Sequence, residues 1–435
     1  MPISKVNGTD WANIAKINGA DQANCAKMCD FEGAAGGAVT PCWVASGNSG
    51  RIMYSTSSTA ATGSWTSYLA PDSGADSNGI AYGKDNNGND RWIVIWDRGS
   101  NLGSVSSVAV PSASTDWQTL DLDTGDWDTG KAPNDVAYSS FPSVAGTGKS
   151  GIWAIVGRAG RVAYSSTGSA AEADWEIDTA TDAGFAGNRH IQAVAFSGSH
   201  IFVAGSRTRI VSASIPSDWA HGTNLNWDTT EKALDENDSN GNSQFGWSRI
   251  AAGGTGANTR IFTVANSNRD TNFPMFATGS NAVEGDPCCG DYSSGRGWQD
   301  IHGAPAGTFG DNTNATKRKM NDVHTDGNGN WMIAGTDGVA YRSTDNGATW
   351  SAMTLPNNDN GQAAGDCTFN CIYFADIDGT ATWAIGGEDG YLATSTDIGA
   401  NWTFRGNPWS EAGTGVNYHI FGLALNYVKR HPGVT

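Results

Sequence analysis

Six short segments of this sequence open on a polar residue and run into apolar ones. Asn78, Asn134, Gln192, Ser248, Asn321 and Asn370 begin NGIAYG, NDVAYS, QAVAFS, SRIAAG, NDVHTD and NCIYFA. The residues that follow them are Gly79, Asp135, Ala193, Arg249, Asp322 and Cys371. Two carboxylates and a guanidinium at matching positions could do chemistry. Carboxylates facing each other at roughly 6.5–9.5 Å suit inverting glycoside hydrolysis, one as general acid and one as general base. The plainer expectation is that Asn and Asp at a strand start bond free backbone groups. The sharper one is a ligand-facing rim of Asn78, Asn134, Asp135, Gln192, Arg249, Asn321, Asp322 and Asn370. Asp135 and Asp322 become catalytic only in the alternative reading as a hydrolase; otherwise no catalytic residue is expected.

A second pattern also pairs Ser with Asp. STDNGATW (343–350) returns as STDIGANW (395–402), both fitting Ser-x-Asp-x-Gly-x-x-Trp. Asp and Ser in a tight turn bond nearby N–H groups, and Gly supplies the positive φ. A structural role is therefore expected for Ser343, Asp345, Gly347, Trp350, Ser395, Asp397, Gly399 and Trp402.

The elements that must position these residues show in the spacing of the tryptophans. Trp65, Trp117, Trp175, Trp227, Trp298, Trp350 and Trp402 recur at intervals of 52, 58, 52, 71, 52 and 52 residues. Periods of this size mark solenoids, propellers or arrays. Each repeat holds four short segments of strand character. The first is the polar-led segment above, and the second is a continuous apolar run such as RWIVIW or IWAIVG. The third alternates, as in RIMYST, and the fourth carries the Trp. Continuous runs imply burial on both faces, and alternation implies one wetter face. An all-β propeller satisfies both, with seven blades expected. The first of them begins at its second strand, so HIFGLALN (419–426) is expected to complete it and close the ring.

The two Ser-x-Asp-x-Gly-x-x-Trp copies resemble the Asp-box, or bacterial neuraminidase repeat, of sialidase-type propellers. The motif is degenerate at 165–175, 212–219 and 55–65. In that family the hairpin lies away from the active face, which implies structural aspartates. The family's activity is not implied: no Arg-Ile-Pro occurs, and RIM at Arg51 and RIV at Arg209 read as ordinary third strands.

Composition narrows the partners. Gly is abundant (57 of 435 residues), Trp high (18) and charged residues few (16%), consistent with short strands and tight turns. A net charge of −18 argues against nucleic acid or an anionic membrane as partner. No run of 18 apolar residues is present, and the start lacks a secretory signal pattern, so any extracellular role would need another route of release. The seven Cys and seven His show no ligand spacing, so no metal site or cofactor is expected. ENDSNG (236–241) and DNNGND (85–90) resemble pieces of calcium loops. In the first, the twelfth position is Trp247 rather than Glu, so polar turns are preferred and Ca2+ is the alternative. KRK (317–319), the one basic cluster, is expected to be a solvated loop.

Residues 1–40 form an arm with its own eleven-residue repeat, VNGTDWANIAK (6–16) and INGADQANCAK (17–27). Asn-Gly makes a turn, Thr9-Asp10 or Asp21 can cap a helix, and small helical turns are expected after them. Units this short need a partner surface; Trp11, Ile14 and Ile17 are the expected contacts. The arm is similar to stretches in structural proteins of tailed phages, especially those of marine cyanobacteria. The resemblance implies a virion protein, part of a tail fibre or decoration. Residues 1–40 would dock to other virion proteins, the propeller (41–430) would face outward towards host surface glycan, and 431–435 would be a tail. The remaining alternatives are a glycoside hydrolase at the channel mouth and a pure scaffold using loops 281–297 and 304–320.

Overall fold

The computed structural model describes residues 40–71, 74–97, 102–122, 127, 132–140, 151–178, 190–197, 200–206, 209–216, 219, 224–233, 247–253, 260–265, 276–280, 299–300, 320–347, 349–358, 363–377, 380–411 and 418–426, with 5–6, 9–10, 16–17 and 20–21 ahead of them. The chain divides into two compact units, Met1–Pro41 and Cys42–Thr435.

The larger unit is a β-propeller. Six four-stranded antiparallel sheets are each built from strands consecutive in sequence, their first strands being Ser77–Lys84, Pro133–Ser139, Ile191–Ser197, Trp247–Gly253, Met320–Thr325 and Phe369–Ile377. A further four-stranded sheet is composite: Ile420–Leu425 pairs with Trp43–Gly47, followed by Arg51–Ser55 and Thr66–Leu69. Each first strand packs beside the next, and Ile420–Leu425 packs beside Ser77–Lys84.

Second strands form the core, as their continuous apolar runs require. Trp43–Gly47, Ile152–Gly157 and Trp331–Gly335 are buried at every position. Trp43, Trp92, Trp153, Trp331 and Trp383 lie on these strands and are fully buried. Each contributes on the order of 3 kcal/mol through the apolar area it removes from water. The rings pack across sheet faces, as Phe262 does edge-on against Trp331 at 4.4 Å.

The third strands depart from expectation. Val162–Ser165 and Leu392–Ser395 are buried throughout, and Ala340–Ser343 at all but Arg342. Their alternating residues face neighbouring sheets on both sides, so the wetter strand is the fourth, as in Thr66–Leu69.

In the smaller unit, Lys5–Val6 pairs antiparallel with Thr9–Asp10 and Lys16–Ile17 with Ala20–Asp21, each pair separated in sequence by Asn-Gly. Thr9, Asp10 and Asp21 are thus strand residues rather than helix caps, because Asn-Gly is also the strongest two-residue hairpin turn. Ile17 lies on a strand, whereas Trp11, Ile14 and the expected helical turns fall outside the described residues.

Candidate functional site

All the first strands line one cavity of about 230 Å3, with Asp135, Arg249, Asp322 and Cys371 in its wall. Each strand carries a register shift at the same place, spanning Asn78, Asn134, Gln192, Ser248, Asn321, Asn370 and Phe421 in turn. A bulge leaves one residue out of the ladder and re-aims its side chain.

The bulged side chains are engaged between sheets. The Nδ2 groups of Asn78 and Asn134 each donate at 2.7 Å, to Pro133 O and Ile191 O respectively. Asn321 Nδ2 donates to Phe369 O at 2.9 Å and Asn370 Nδ2 to Ile420 O at 3.1 Å. Ser248 Oγ lies 3.0 Å from Met320 O. In every case the acceptor is the carbonyl just before the next strand's bulge, a group the broken ladder would otherwise leave without its partner. Five of the polar-led starts are therefore stitches between neighbouring sheets. Gln192 sits at the same register, in the shift between Ile191 and Ala193.

The residues one step further along build the charged part of the site. Asp135 Oδ1 accepts the N–H of Val136 at 2.9 Å and Oδ2 that of Val194, in the next sheet, at 3.0 Å. Asp322 repeats this with Val323 at 2.9 Å and Ile372 at 2.8 Å. Arg249 reaches furthest. Its Nη1 donates to Ser248 O at 3.0 Å and its Nη2 to Asn78 O at 2.7 Å, three sheets earlier in chain order, so the side chain spans the lumen.

Burial pushes the Asp322 carboxyl up to about 7, against the pull of Arg249 and the Ile372 N–H, and Asp135 raises it further. Burial raises Asp135 too, opposed by Arg249 and its two N–H donors. Among the described residues the lumen thus holds one guanidinium and two reluctant carboxylates, each oxygen of which already accepts a backbone N–H. A carboxyl near 7 is in the range for proton transfer at neutral pH. However, one oxygen of each carboxylate is held by its own strand and the other by the next sheet, and Arg249 reaches past them to Asn78 O.

The Ser-x-Asp-x-Gly-x-x-Trp turns sit at third-to-fourth strand hairpins and satisfy themselves. Ser343 Oγ donates to Asp345 Oδ1 at 2.7 Å and accepts the Gly347 N–H at 2.9 Å. Asp345 also accepts Thr349 N–H at 2.8 Å, and Trp350 Nε1 donates to Gly347 O at 3.2 Å. Ser395, Asp397, Gly399, Asn401 and Trp402 repeat the network. Gly347 has φ 82°, and a Cβ there would lie 2.1 Å from Phe262 Cζ, so the turn needs glycine twice over. Hydrogen bonds from Asn401 N–H, the Asn401 side chain and Ser395 hold Asp397 down at about 2.

The calcium-like DNNGND segment is a related turn. Asp85 Oδ1 accepts the N–H groups of Asn87 and Asn89, while Oδ2 faces Asn89 Nδ2 and the Arg91 guanidinium at 3.1 Å. With Arg91 there, a cation is poorly served. ENDSNG, KRK and most of loops 281–297 and 304–320 lie outside the described residues. Cys42, Cys367 and Cys371 are free and buried, so no disulfide joins the last two. Among the described residues no three His, Cys, Asp or Glu side chains come together as a metal site, and no helix is long and apolar enough to cross a membrane.

What sequence reasoning missed is the span of Arg249 and the inter-sheet reach of the asparagines. The signal was present in Asn-Asp, which opens two of the six segments, but one sequence does not say where a side chain ends.

No family model and no curated protein matches the chain. Among solved structures, YCF48 from Cyanidioschyzon merolae is similar at 16% identity and TM-score 0.48, over 80% of this chain and 89% of that one. YCF48 bound to D1 peptide gives 13% and 0.47, over 80% and 87%. U3-55K gives 11% and 0.34, over 56% and 57%. The likeness concerns the fold, and no functional reading rests on it.

Proposed function

We propose that the chain is a non-enzymatic structural protein of a tailed-phage particle, with residues 1–40 docking to other virion proteins and the propeller displayed outward. In this reading the composite sheet is the seventh blade, Ile420–Leu425 closes the ring, and the two Ser-x-Asp-x-Gly-x-x-Trp turns are Asp-boxes. Host surface glycan is the proposed ligand.

The observation that carries the non-enzymatic part is the engagement of the lumen's polar groups. The carboxylates bind strand N–H groups, the asparagines bind carbonyls, and Arg249 bars the space between (all within the described residues). The particle assignment is supported by the phage resemblance of the arm and by the recurrence of its repeat as two like hairpins. Deleting 1–40 separates the parts: particle incorporation should be lost while the propeller stays folded. Normal incorporation of the truncated chain would overturn the docking role.

A second reading is supported by Asp322 at about 7, a value suited to a general acid. The purified chain should release no reducing ends from a panel of bacterial and algal polysaccharides. Release that disappears in Asp135→Asn and Asp322→Asn would make it a glycoside hydrolase instead.

A further inference from the structure

Four second-to-third strand hairpins place a non-glycine residue in the left-handed region: Ser49 at φ 56°, Ala159 at 57°, Asp337 at 51° and Asp389 at 52°. At Ser49, Ala159 and Asp389 the N–H is met by a side chain from the following sheet. Ser49 N–H donates to Asp76 Oδ1 at 3.0 Å, Ala159 N–H to His190 Nδ1 at 3.1 Å, and Asp389 N–H to His419 Nδ1 at 3.2 Å. Asp76, His190 and His419 hold one register position, two residues before the bulges at Asn78, Gln192 and Phe421. The same joint is thus made once with a carboxylate and twice with imidazole.

The chemistry of the joint differs between the two. A neutral imidazole protonated on Nε2 accepts through Nδ1, whereas an imidazolium has two donors and no acceptor. We infer that His190 and His419 are acid-released pins between neighbouring blades, and that the second anchors the root of strand Ile420–Leu425. His419 is tied there from two sides, since its own N–H donates to Asn48 Oδ1 at 3.0 Å.

The charged surroundings favour release. Beside His190 stands Arg158, itself 3.1 Å from Asp97; burial first, and then Arg158, lower the imidazole's affinity for protons in the pinned state. Its main-chain N–H donates to Ser206 Oγ at 3.1 Å. Around His419 are Glu388 and Asp389 of the pinned turn and Arg51, stacked 4.3 Å over the neighbouring Tyr418 ring.

The test is hydrogen exchange on the full chain at pH 7.5 and 5.5, corrected for intrinsic rates. One pH unit below the ordinary imidazole value, protonation of the open state shifts a pinned opening by about tenfold. Protection at Ala159 and Asp389, and along 420–425, should fall by about that factor, while Ser49, held by Asp76, keeps its own. In the double variant His190→Asn, His419→Asn, whose amide oxygens accept without titrating, the fall should vanish. The comparison with Ser49 needs no variant, so it stands even if the double variant fails to fold. Protection at Ala159 and Asp389 that tracks Ser49, or a fall that persists in a folded double variant, would overturn the inference.

Discussion

Asn346 and Ile398 occupy the same place in two like turns, at φ 59° and 57°. Asn346 uses its place: its Oδ1 accepts Trp331 Nε1–H at 3.1 Å. Ile398 offers no acceptor, and Trp383 Nε1 is buried without a partner. A β-branched residue in the left-handed region costs about 1–2 kcal/mol, and the missing bond about 1 more. The partial burial of Ile398 offsets roughly 1 kcal/mol of that. Ile398→Asn should therefore stabilise the protein by about 1–2 kcal/mol, read by denaturant unfolding. Asp322 makes a prediction of its own. Its folded value of about 7 lies above that of a free carboxyl, so its contribution is fullest below the free value and is lost as pH rises through about 7. The stability of the wild type relative to Asp322→Ala should fall between pH 5 and pH 8. A difference that grows with pH would mean that Arg249 outweighs burial.

At the scale of the element, the bulged first strand is the unit that organises the lumen. Removing one stitch tests it: Asn321→Ala leaves Phe369 O without its donor and should cost about 1 kcal/mol, with the cavity otherwise kept. The strands themselves were legible in the sequence, because runs such as IWAIVG have no other place than between two sheets. The wetness of the third strand was not. RVAYSS alternates by residue type, yet Ser165 is buried, its Oγ accepting the N–H groups of Thr167 and Gly168 at 3.1 Å. Periodicity records polarity, and a turn can absorb polarity inside the core. The charged positions Asp135, Arg249 and Asp322 were also legible. Their partners were not, since every one but Val136, Val323 and Ser248 is a backbone group of another sheet.

At the scale of the whole molecule, strands far apart in sequence, Trp43–Gly47 and Ile420–Leu425, meet in one sheet. Cys42 N–H donates to Asn426 Oδ1 at 2.9 Å, Asn426 N–H returns a bond to Cys42 O at 3.1 Å, and the other end of the strand is held through Asn48. Asn426→Ala would leave the buried Cys42 N–H unmet, a loss of about 1–3 kcal/mol expected in thermal unfolding. Ending the chain at residue 418 should do more. Trp43–Gly47 would become an open apolar edge, and association of chains should appear in light scattering. A peptide spanning 418–428, supplied in trans, should suppress it.

The stitches between sheets run from a side chain to a main-chain carbonyl. Pro133, Ile191, Met320, Phe369 and Ile420 receive them, five buried apolar residues of different shape that each offer the same peptide oxygen. The stitch itself therefore constrains only the donor, and the receiving position answers to apolar packing instead. Sheets joined this way can differ in side chain at the receiving position without loosening from their neighbours.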